Sequence, residues 1–72
     1  MDIRLITENK GDYMPLLLLA DEQTDIIEKY LYRGELYALF HPDLRAVCVL
    51  TDEGNGMFEL QNIAVLPDFQ RR

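Results

Sequence analysis

The residues 57–72, MFELQNIAVLPDFQRR, are the stretch that decides the fold. Residues 57–65 are mostly apolar and predict a strand, and Pro67 ends it because proline has no N–H to donate to a sheet. Residues 68–72 are mostly polar and begin a turn. The stretch therefore predicts a strand whose end, near Pro67, leads directly into a polar and partly basic segment.

Two further strands precede this one and predict an antiparallel meander. After Gly34 the apolar period changes from about 3.6 to 2, and residues 35–41 carry apolar side chains on both faces. Pro42 and Asp43 form a turn, and residues 44–51 are a second β-rich run. Residues 52–56, DEGNG, predict a five-residue hairpin loop before the last strand.

The beginning of the chain predicts one strand and a first helix. Residues 3–8 alternate in a short, half-buried strand pattern, which is interrupted by the polar residues 9–12. Asp12 is a candidate cap for a largely buried helix over residues 13–20, where Pro15 is tolerated in the first turn.

A second helix follows, and Asp25 with Glu28 three residues later is a start typical of a capping box. Gly34 is a candidate C-cap for this helix. The predicted order is β-α-α-β-β-β. The fold class is therefore α/β of the α+β type, with a three-strand antiparallel meander packed on two helices.

Composition limits the function classes. The chain has 72 residues and a net charge of −6, so it is one small domain and a poor partner for nucleic acid. Its single cysteine allows no intrachain disulfide, no cysteine and histidine spacing predicts a metal site, and we expect a cytoplasmic protein. The longest apolar run, residues 16–20, is too short to span a membrane.

Residues 63–72 resemble the acyl-CoA signature of the GNAT superfamily of N-acetyltransferases. In that family an apolar triplet ends a strand and is followed by x-Pro-x-x and then by Gln/Arg-x-x-Gly-x-Gly/Ala, which opens a helix. Ile63, Ala64, Val65, Pro67 and Gln70 fit this pattern without a gap, but the sequence ends two residues after Gln70, before the two glycines. The resemblance implies that residues 1–72 are a single domain, the N-terminal half of a GNAT acetyltransferase domain. By themselves they would form an incomplete acyl-CoA N-acyltransferase fold.

The resemblance also implies a donor and a reaction. Acetyl would pass from acetyl-CoA, as co-substrate, directly to the primary amine of a small molecule or peptide, with no metal and no covalent intermediate. Ile63, Ala64 and Val65 would bind the pantetheine arm and lie beside the thioester. Gln70, Arg71 and Arg72 would begin the pyrophosphate cradle, where free backbone N–H groups at a helix N-terminus favour an anion.

Glu59 is the candidate catalytic residue. It lies eleven residues before Gln70, the register at which several family members carry a general base. A substrate ammonium must lose a proton before its nitrogen can attack a thioester, and a carboxylate can accept that proton through water. The alternative is a solvated strand glutamate near a hairpin. The family's general acid is usually a tyrosine of the C-terminal half.

Other polar residues are weaker candidates with ordinary structural alternatives. Gln61 and Asn62 are candidates for substrate contact, and the acidic residues 21–25 either attract a cationic amine or form a solvated helix junction. Tyr30, Tyr32 and Tyr37 are candidates for lining an acceptor pocket, although Tyr30, on the apolar stripe of the second helix, is more typical of a core position. His41 is more typical of a surface or structural position, and Cys48 is more typical of a core residue than of a nucleophile.

A second hypothesis makes these residues a non-catalytic fragment. An apolar strand without a neighbour is a template for pairing. On this hypothesis residues 57–65 pair with a second copy and form a homodimer.

Overall fold

The computed structural model describes residues 1–67, which form a four-stranded antiparallel sheet with two short helices on one face. The strands lie in the order β1-β2-β3-β4, so each pairs with its neighbour in the chain. The predicted β-α-α-β-β-β order is confirmed, and the first strand joins the meander as its fourth member. The elements are β1 Asp2–Ile6, a 3₁₀ turn Lys10–Tyr13, α1 Met14–Leu17, α2 Thr24–Leu31, β2 Glu35–Phe40, β3 Leu44–Gly54 and β4 Met57–Val65.

The first helix is shorter than the sequence predicts. The 3₁₀ turn comes first, with Asn9 in the left-handed region, and only four residues form α1. The predicted cap by Asp12 is absent: Asp12 lies inside the 3₁₀ turn, where its N–H donates to Asn9 O at 3.0 Å, and the residue at the N-cap position of α1 is Tyr13. After Leu17 the backbone tightens into contacts three residues apart, such as Ala20 N–H to Leu17 O at 3.1 Å. The segment still buries Leu16 and Leu17, as its apolar composition predicts.

The second helix, α2, is seated by contacts at its C-terminal end. It begins at Thr24 with no side-chain cap, so the predicted capping-box contact is absent from it. Lys10 Nζ donates to Leu31 O at 3.2 Å and to Gly34 O at 2.7 Å, which places a cation where the last carbonyls of α2 accumulate negative charge. Gly34 lacks the positive φ of a left-handed cap. A Cβ there would lie 2.7 Å from Leu50 O, so glycine is required by close packing.

The two faces of the sheet differ in what covers them. The helices cover one face, where Leu36, Ala38, Val47, Val49 and Ala64 are buried with the helix side chains. The opposite face is also apolar, although no described residue covers it. By the strand register it carries eleven apolar residues, Ile3, Leu5, Tyr37, Leu39, Ala46, Cys48, Leu50, Phe58, Leu60, Ile63 and Val65, together with the acidic residues Glu35 and Asp52.

Strand β1 has its apolar residues on that uncovered face. Ile3 is 65% exposed and Leu5 is 47% exposed, whereas Ile6 packs against the core. Among the apolar residues of β1, Ile6 is therefore the one that shows the half-burial predicted for this strand. On the helix-facing side, Arg4 lies over the Phe40 ring with 4.5 Å to its centroid.

The β3–β4 hairpin differs from the predicted five-residue loop. Strand β3 continues to Gly54 and β4 begins at Met57, so only Asn55 and Gly56 turn the chain, both with positive φ. An Asn-Gly pair of this kind matches the right-handed twist of a hairpin. The β3–β4 hairpin therefore extends beyond β2, which pairs with β3 only as far as Leu50.

Candidate functional site

The candidate site lies along β4, an edge strand of the described sheet. Within residues 1–67, β4 pairs with β3 and with no other strand, so its outer edge is an edge of the described sheet. Glu59, Ile63, Ala64 and Val65 all lie on β4. Three of the predicted cofactor-binding residues, Gln70, Arg71 and Arg72, lie outside the described residues.

A β-bulge divides β4 in the middle of this site. The register pairs Val49 with Asn62 but Leu50 with Leu60, so Gln61 has no residue opposite it. A bulge of this kind bends its strand and changes the direction of the side chains around it. It separates Glu59, on the hairpin side, from Ile63 and the residues that follow.

The predicted site residues lie on both faces of β4. Glu59 is opposite Thr51, which is fully buried on the helix-facing side, so the register places Glu59 toward that side, where it is exposed. Ala64 is buried under the helices, and Ile63 is 59% exposed on the uncovered face. Val65 is half-buried opposite Ala46. The base candidate and the apolar triplet therefore share a strand and lie on either side of its bulge.

Asn62 connects the bulge to both helices. Its Nδ2 group donates to Leu17 O at 3.1 Å and to Tyr30 Oη at 2.8 Å. The Tyr30 hydroxyl donates to Asp21 Oδ2 at 3.3 Å. Burial raises the pKa of Tyr30, the Asn62 hydrogen bond opposes the shift, and Asp21 adds to it. Tyr30 is thus a core residue, as predicted, that also carries a buried polar connection.

A second polar network braces the other side of the bulge. The Thr51 hydroxyl donates to Glu53 Oε2 at 2.5 Å and accepts a hydrogen bond from Gln61 Nε2 at 3.0 Å. The Arg33 guanidinium also reaches Glu53 Oε2, at 3.3 Å. The hydrogen bond from Thr51 lowers the pKa of Glu53, and Arg33 adds to this effect. The network fixes the side chain of the bulged residue.

Sequence reasoning missed Thr51, Glu53 and Arg33 as parts of the site. One signal was present: Thr51 and Arg45 are the two residues of the run 44–51 that are not apolar, and Thr51 alternates with Val47 and Val49. A buried hydroxyl needs a hydrogen-bond partner, and this requirement points to a nearby polar side chain.

The remaining candidates lie in ordinary surroundings. Cys48 is half-buried on the uncovered face, and burial raises the pKa of its thiol, which opposes thiolate chemistry. It lines a shallow apolar cavity of about 170 Å³ with Tyr37, Ile63 and neighbouring residues. His41 lies exposed in the turn before β3, and Tyr32 is 58% exposed.

An apolar groove of about 390 Å³ lies beside the end of β4, on the α1 side. The groove is lined by Asp12, Tyr13, Pro15, Leu16, Leu19, Leu44, Leu66 and Pro67.

Among residues 1–67, no three histidine, cysteine or acidic side chains are grouped closely enough to hold a metal ion. In the same range, no helix has the length and apolar character that a membrane span requires.

Comparison with known proteins gives a consistent class. No protein-family model matches the chain. It is 39% identical over 71 residues to the uncharacterized N-acetyltransferase YvbK of Bacillus subtilis, a match that covers 97% of the chain and 46% of that protein. A crystal structure of a Bacillus subtilis acetyltransferase in complex with CoA is 38% identical, with a TM-score of 0.82 over 97% of the chain and 47% of the other.

A GNAT family acetyltransferase from Elizabethkingia anophelis, crystallised with acetyl-CoA, is 33% identical, with a TM-score of 0.85. That match covers 99% of the chain and 47% of the other protein. The chain thus spans about half the length of the relatives it matches.

In sequence and in fold, the chain is similar to GNAT acetyltransferases over about half of their length, which is consistent with the N-terminal half of a domain of that family.

Proposed function

We propose that residues 1–72 form the N-terminal half of an N-acetyltransferase domain that moves an acetyl group from acetyl-CoA to a primary amine. The observation that carries the proposal is the bulged edge strand β4, with Glu59 before the bulge and the apolar triplet after it. Relatives of the same fold were crystallised with CoA and with acetyl-CoA, which supports the choice of donor.

The donor half of the reaction rests on the edge of β4. A strand edge offers backbone N–H and C=O groups to an extended ligand, and the amide-containing pantetheine arm is such a ligand. In the proposed complex the arm runs beside Ile63, Ala64 and Val65, whose backbone would orient the thioester. Gln70, Arg71 and Arg72 bring two cations and a polar side chain to the sequence directly after the strand, where they would meet the pyrophosphate.

The acceptor half of the reaction rests on Glu59. Its exposed carboxylate is open to solvent, so it can take a proton from the substrate ammonium through a water molecule. The freed nitrogen attacks the thioester carbonyl carbon, a C–N bond forms, and the C–S bond breaks. The nitrogen releases its second proton to solvent, and the departing CoA thiolate takes a proton from a general acid, which the resemblance assigns to the C-terminal half.

The uncovered face of the sheet supports the proposal that these residues are half of a domain. An antiparallel sheet with one solvated face has mostly polar residues on that face, whereas here eleven apolar side chains lie on it. A second polypeptide layer on the same chain would cover it.

Self-association is the weaker explanation for this face and for the open edge. Pairing of two copies through the outer edge of β4 would extend the sheet and leave this face uncovered in both copies. Each copy also carries a net charge of −6, so two copies repel each other. Elution of the 72-residue chain as a strict monomer in size-exclusion chromatography would exclude the dimer.

The test uses a fusion of residues 1–72 to the part of YvbK that the chain does not match. This complete-domain fusion is incubated with acetyl-CoA and a panel of small primary amines, polyamines and peptides, and release of free CoA thiol is measured. We expect amine-dependent release. A folded fusion that binds CoA but acetylates no amine would overturn the proposed reaction.

The role of Glu59 is tested in the same fusion with Glu59→Gln. General-base catalysis contributes about 10²–10⁴-fold, so we expect a loss of kcat/KM in that range and disappearance of the acid limb of the pH–rate profile. Glu35→Gln is the matched control, because Glu35 is also an exposed strand glutamate. An unchanged pH–rate profile in Glu59→Gln would remove Glu59 as the base.

A further inference from the structure

A second β-bulge lies in β3, near the hairpin turn. Between Asp52 and Gly54 the pairing with β4 shifts by one residue, so Glu53 has no residue opposite it. The bulge at Gln61 adds one residue to β4 and this second bulge adds one residue to β3, so the two shifts of register cancel. Only residues 58–60 of β4, which lie between the two bulges, are displaced from the pairing that the rest of the hairpin follows.

This local displacement decides the face on which Glu59 lies. In the shifted register Glu59 is opposite Thr51, which is fully buried on the helix-facing side. Without the bulge, the pairing from the other end of β4 would place Leu60 opposite Thr51 instead. Glu59 would then lie on the uncovered face, because a shift of one residue moves every side chain to the other face of its strand. The two bulges therefore place the candidate base on the helix-facing side.

Apolar burial contributes little to holding the displaced residues in the shifted register. Phe58 is 59% exposed and Leu60 is 53% exposed, so each buries only part of its side chain. The hairpin turn does not select the shifted register either. Next to the turn, Gly54 pairs with Met57, and a hairpin without either bulge would have the same pair. The selection therefore rests on polar contacts of the bulged residues.

Thr51 supplies these polar contacts. Gln61 Nε2 donates to Thr51 Oγ1 at 3.0 Å, and the Thr51 hydroxyl donates to Glu53 Oε2 at 2.5 Å. One hydroxyl thus binds the extra residue of each bulge. The direction of these bonds is fixed, because an ionised carboxylate only accepts, and a hydroxyl that has donated its proton can still accept from an amide. The Arg33 guanidinium reaches the same Glu53 oxygen at 3.3 Å.

The hydrogen bond from Gln61 is specific to the shifted register. In the unshifted pairing Gln61 would be opposite Leu50, whose side chain lies on the uncovered face. The carboxamide would then point away from the Thr51 hydroxyl, which lies on the helix-facing side and would lose its donor. The hydrogen bond therefore stabilises the register in which it forms over the alternative.

We propose that Thr51 is a positioning residue for the general base, because its hydroxyl keeps residues 58–60 in the shifted register and Glu59 on the helix-facing side. It does so by binding the extra residue of each bulge. This inference rests on the proposed function, which assigns to Glu59 the transfer of the substrate proton. Thr51 is fully buried and acts through Glu59, not on the substrate itself.

The first experiment determines the register in the 72-residue chain from nuclear Overhauser contacts between backbone protons of β3 and β4. Opposite residues of an antiparallel pair have Cα atoms about 4.5–5.5 Å apart, so these contacts identify the pairs. In the parent, and in Thr51→Ser, which keeps the hydroxyl, we expect residue 51 to contact Glu59. In Thr51→Val, which has the same shape without the hydroxyl, we expect the contact with Leu60 to predominate about tenfold, because both hydrogen bonds are lost.

A second variant guards against misfolding of Thr51→Val. Gln61→Met removes the donor at a half-buried position and is expected to favour the contact with Leu60 in the same way. If the folded variants keep only the contact with Glu59, Thr51 does not select the register and the proposal is wrong. A parent chain in which residue 51 contacts Leu60 would overturn it as well.

The second experiment measures kinetics in the complete-domain fusion. We expect Thr51→Val to lower kcat about tenfold, in proportion to the remaining shifted register, and to leave the KM for acetyl-CoA within about twofold. Thr51→Ser should stay within about threefold of the parent. Thr51→Val combined with Glu59→Gln should be no less active than Glu59→Gln alone, since both changes act through one carboxylate.

Two kinetic results would refute the positioning role of Thr51. One is an unchanged kcat in Thr51→Val, and the other is a double variant in which the two losses multiply, as independent structural damage would. If the parent fusion transfers no acetyl group, the proposed function fails and the positioning role fails with it. The register measured in the 72-residue chain still decides, independently of that outcome, whether the Thr51 hydroxyl selects the two bulges.

Discussion

Gly34 lies where the chain leaves α2 and enters β2, and replacing it with alanine tests how the helix layer is seated on the sheet. A Cβ at this position would lie 2.7 Å from Leu50 O, 2.8 Å from Tyr30 O and 3.0 Å from Thr51 Cγ2. Ordinary contact begins at 3.4 Å, so the nearest backbone oxygen would have to move by about 0.7 Å. Two of the three atoms are backbone oxygens and have little freedom to do so.

The size of the effect follows from two opposing contributions. Overpacking a close contact costs about 1–3 kcal/mol. The smaller conformational entropy of the unfolded alanine chain returns about 0.4–1 kcal/mol. From the middle of each range, we expect Gly34→Ala to lower the free energy of unfolding by about 1.3 kcal/mol, which for a domain of this size lowers Tm by about 5–10 °C.

The assay is thermal and urea denaturation followed by circular dichroism. Gly11→Ala is the matched control, because its Cβ would meet only the Tyr32 hydroxyl, at 3.1 Å, and that hydroxyl ends an exposed side chain that can move. We expect the control to lie within about 0.5 kcal/mol of the parent. If Gly34→Ala is as stable as Gly11→Ala, the close approach of α2 and β3 around Gly34 is wrong.

Three further predictions concern the cap, the acid stability and the uncovered face. Lys10→Met removes the hydrogen bonds to Leu31 O, at the end of α2, and to Gly34 O, in the turn after it. We expect a cost of about 1–2 kcal/mol in urea denaturation, and no change would mean that Lys10 does not cap the helix. Because folding lowers the pKa of Glu53, the ionised carboxylate stabilises the folded chain at pH values above the ordinary pKa of a glutamate. This stability is lost as the pH falls through the lowered pKa. Thr51→Val removes the main cause of the shift, so stability measured between about pH 5 and pH 3 should fall less steeply than in the parent, and an equally steep fall would contradict this cause. Ile63→Lys should change the stability of the 72-residue chain by less than about 0.5 kcal/mol but destabilise the complete-domain fusion by more than about 2 kcal/mol. Ala64→Lys should unfold both proteins. Equal effects of Ile63→Lys in the two proteins would mean that no second layer covers this face.

The order of the elements was predictable because the apolar period changes clearly along the chain. The strands that form the meander have the expected alternation, and Pro67 follows the last of them. The lengths of the elements were less predictable. The apolar residues 13–20 predict a full helix, but the 3₁₀ turn already satisfies the Asp12 N–H, and the chain tightens again after Leu17.

The geometry of the site was less predictable than its position. Residues 59–65 show no local sign of the bulge at Gln61, because a one-residue shift of register depends on contacts with β3. The Asn62 connection to Leu17 joins residues 45 positions apart, and such a contact is set by packing of the whole fold. Glu59, Asn62 and the apolar triplet could be named from the sequence, but which of them share a face could not.

The assignment of donor binding to β4 is tested most directly by titrating CoA into the complete-domain fusion, with residues 1–72 labelled with nitrogen-15, and following the amide chemical shifts. We predict saturable shifts at Ile63 and its neighbours along β4, with the amides of β1 unchanged, because β1 lies at the opposite end of the sheet. A folded fusion that does not bind CoA, or that binds it without shifts along β4, would contradict the assignment.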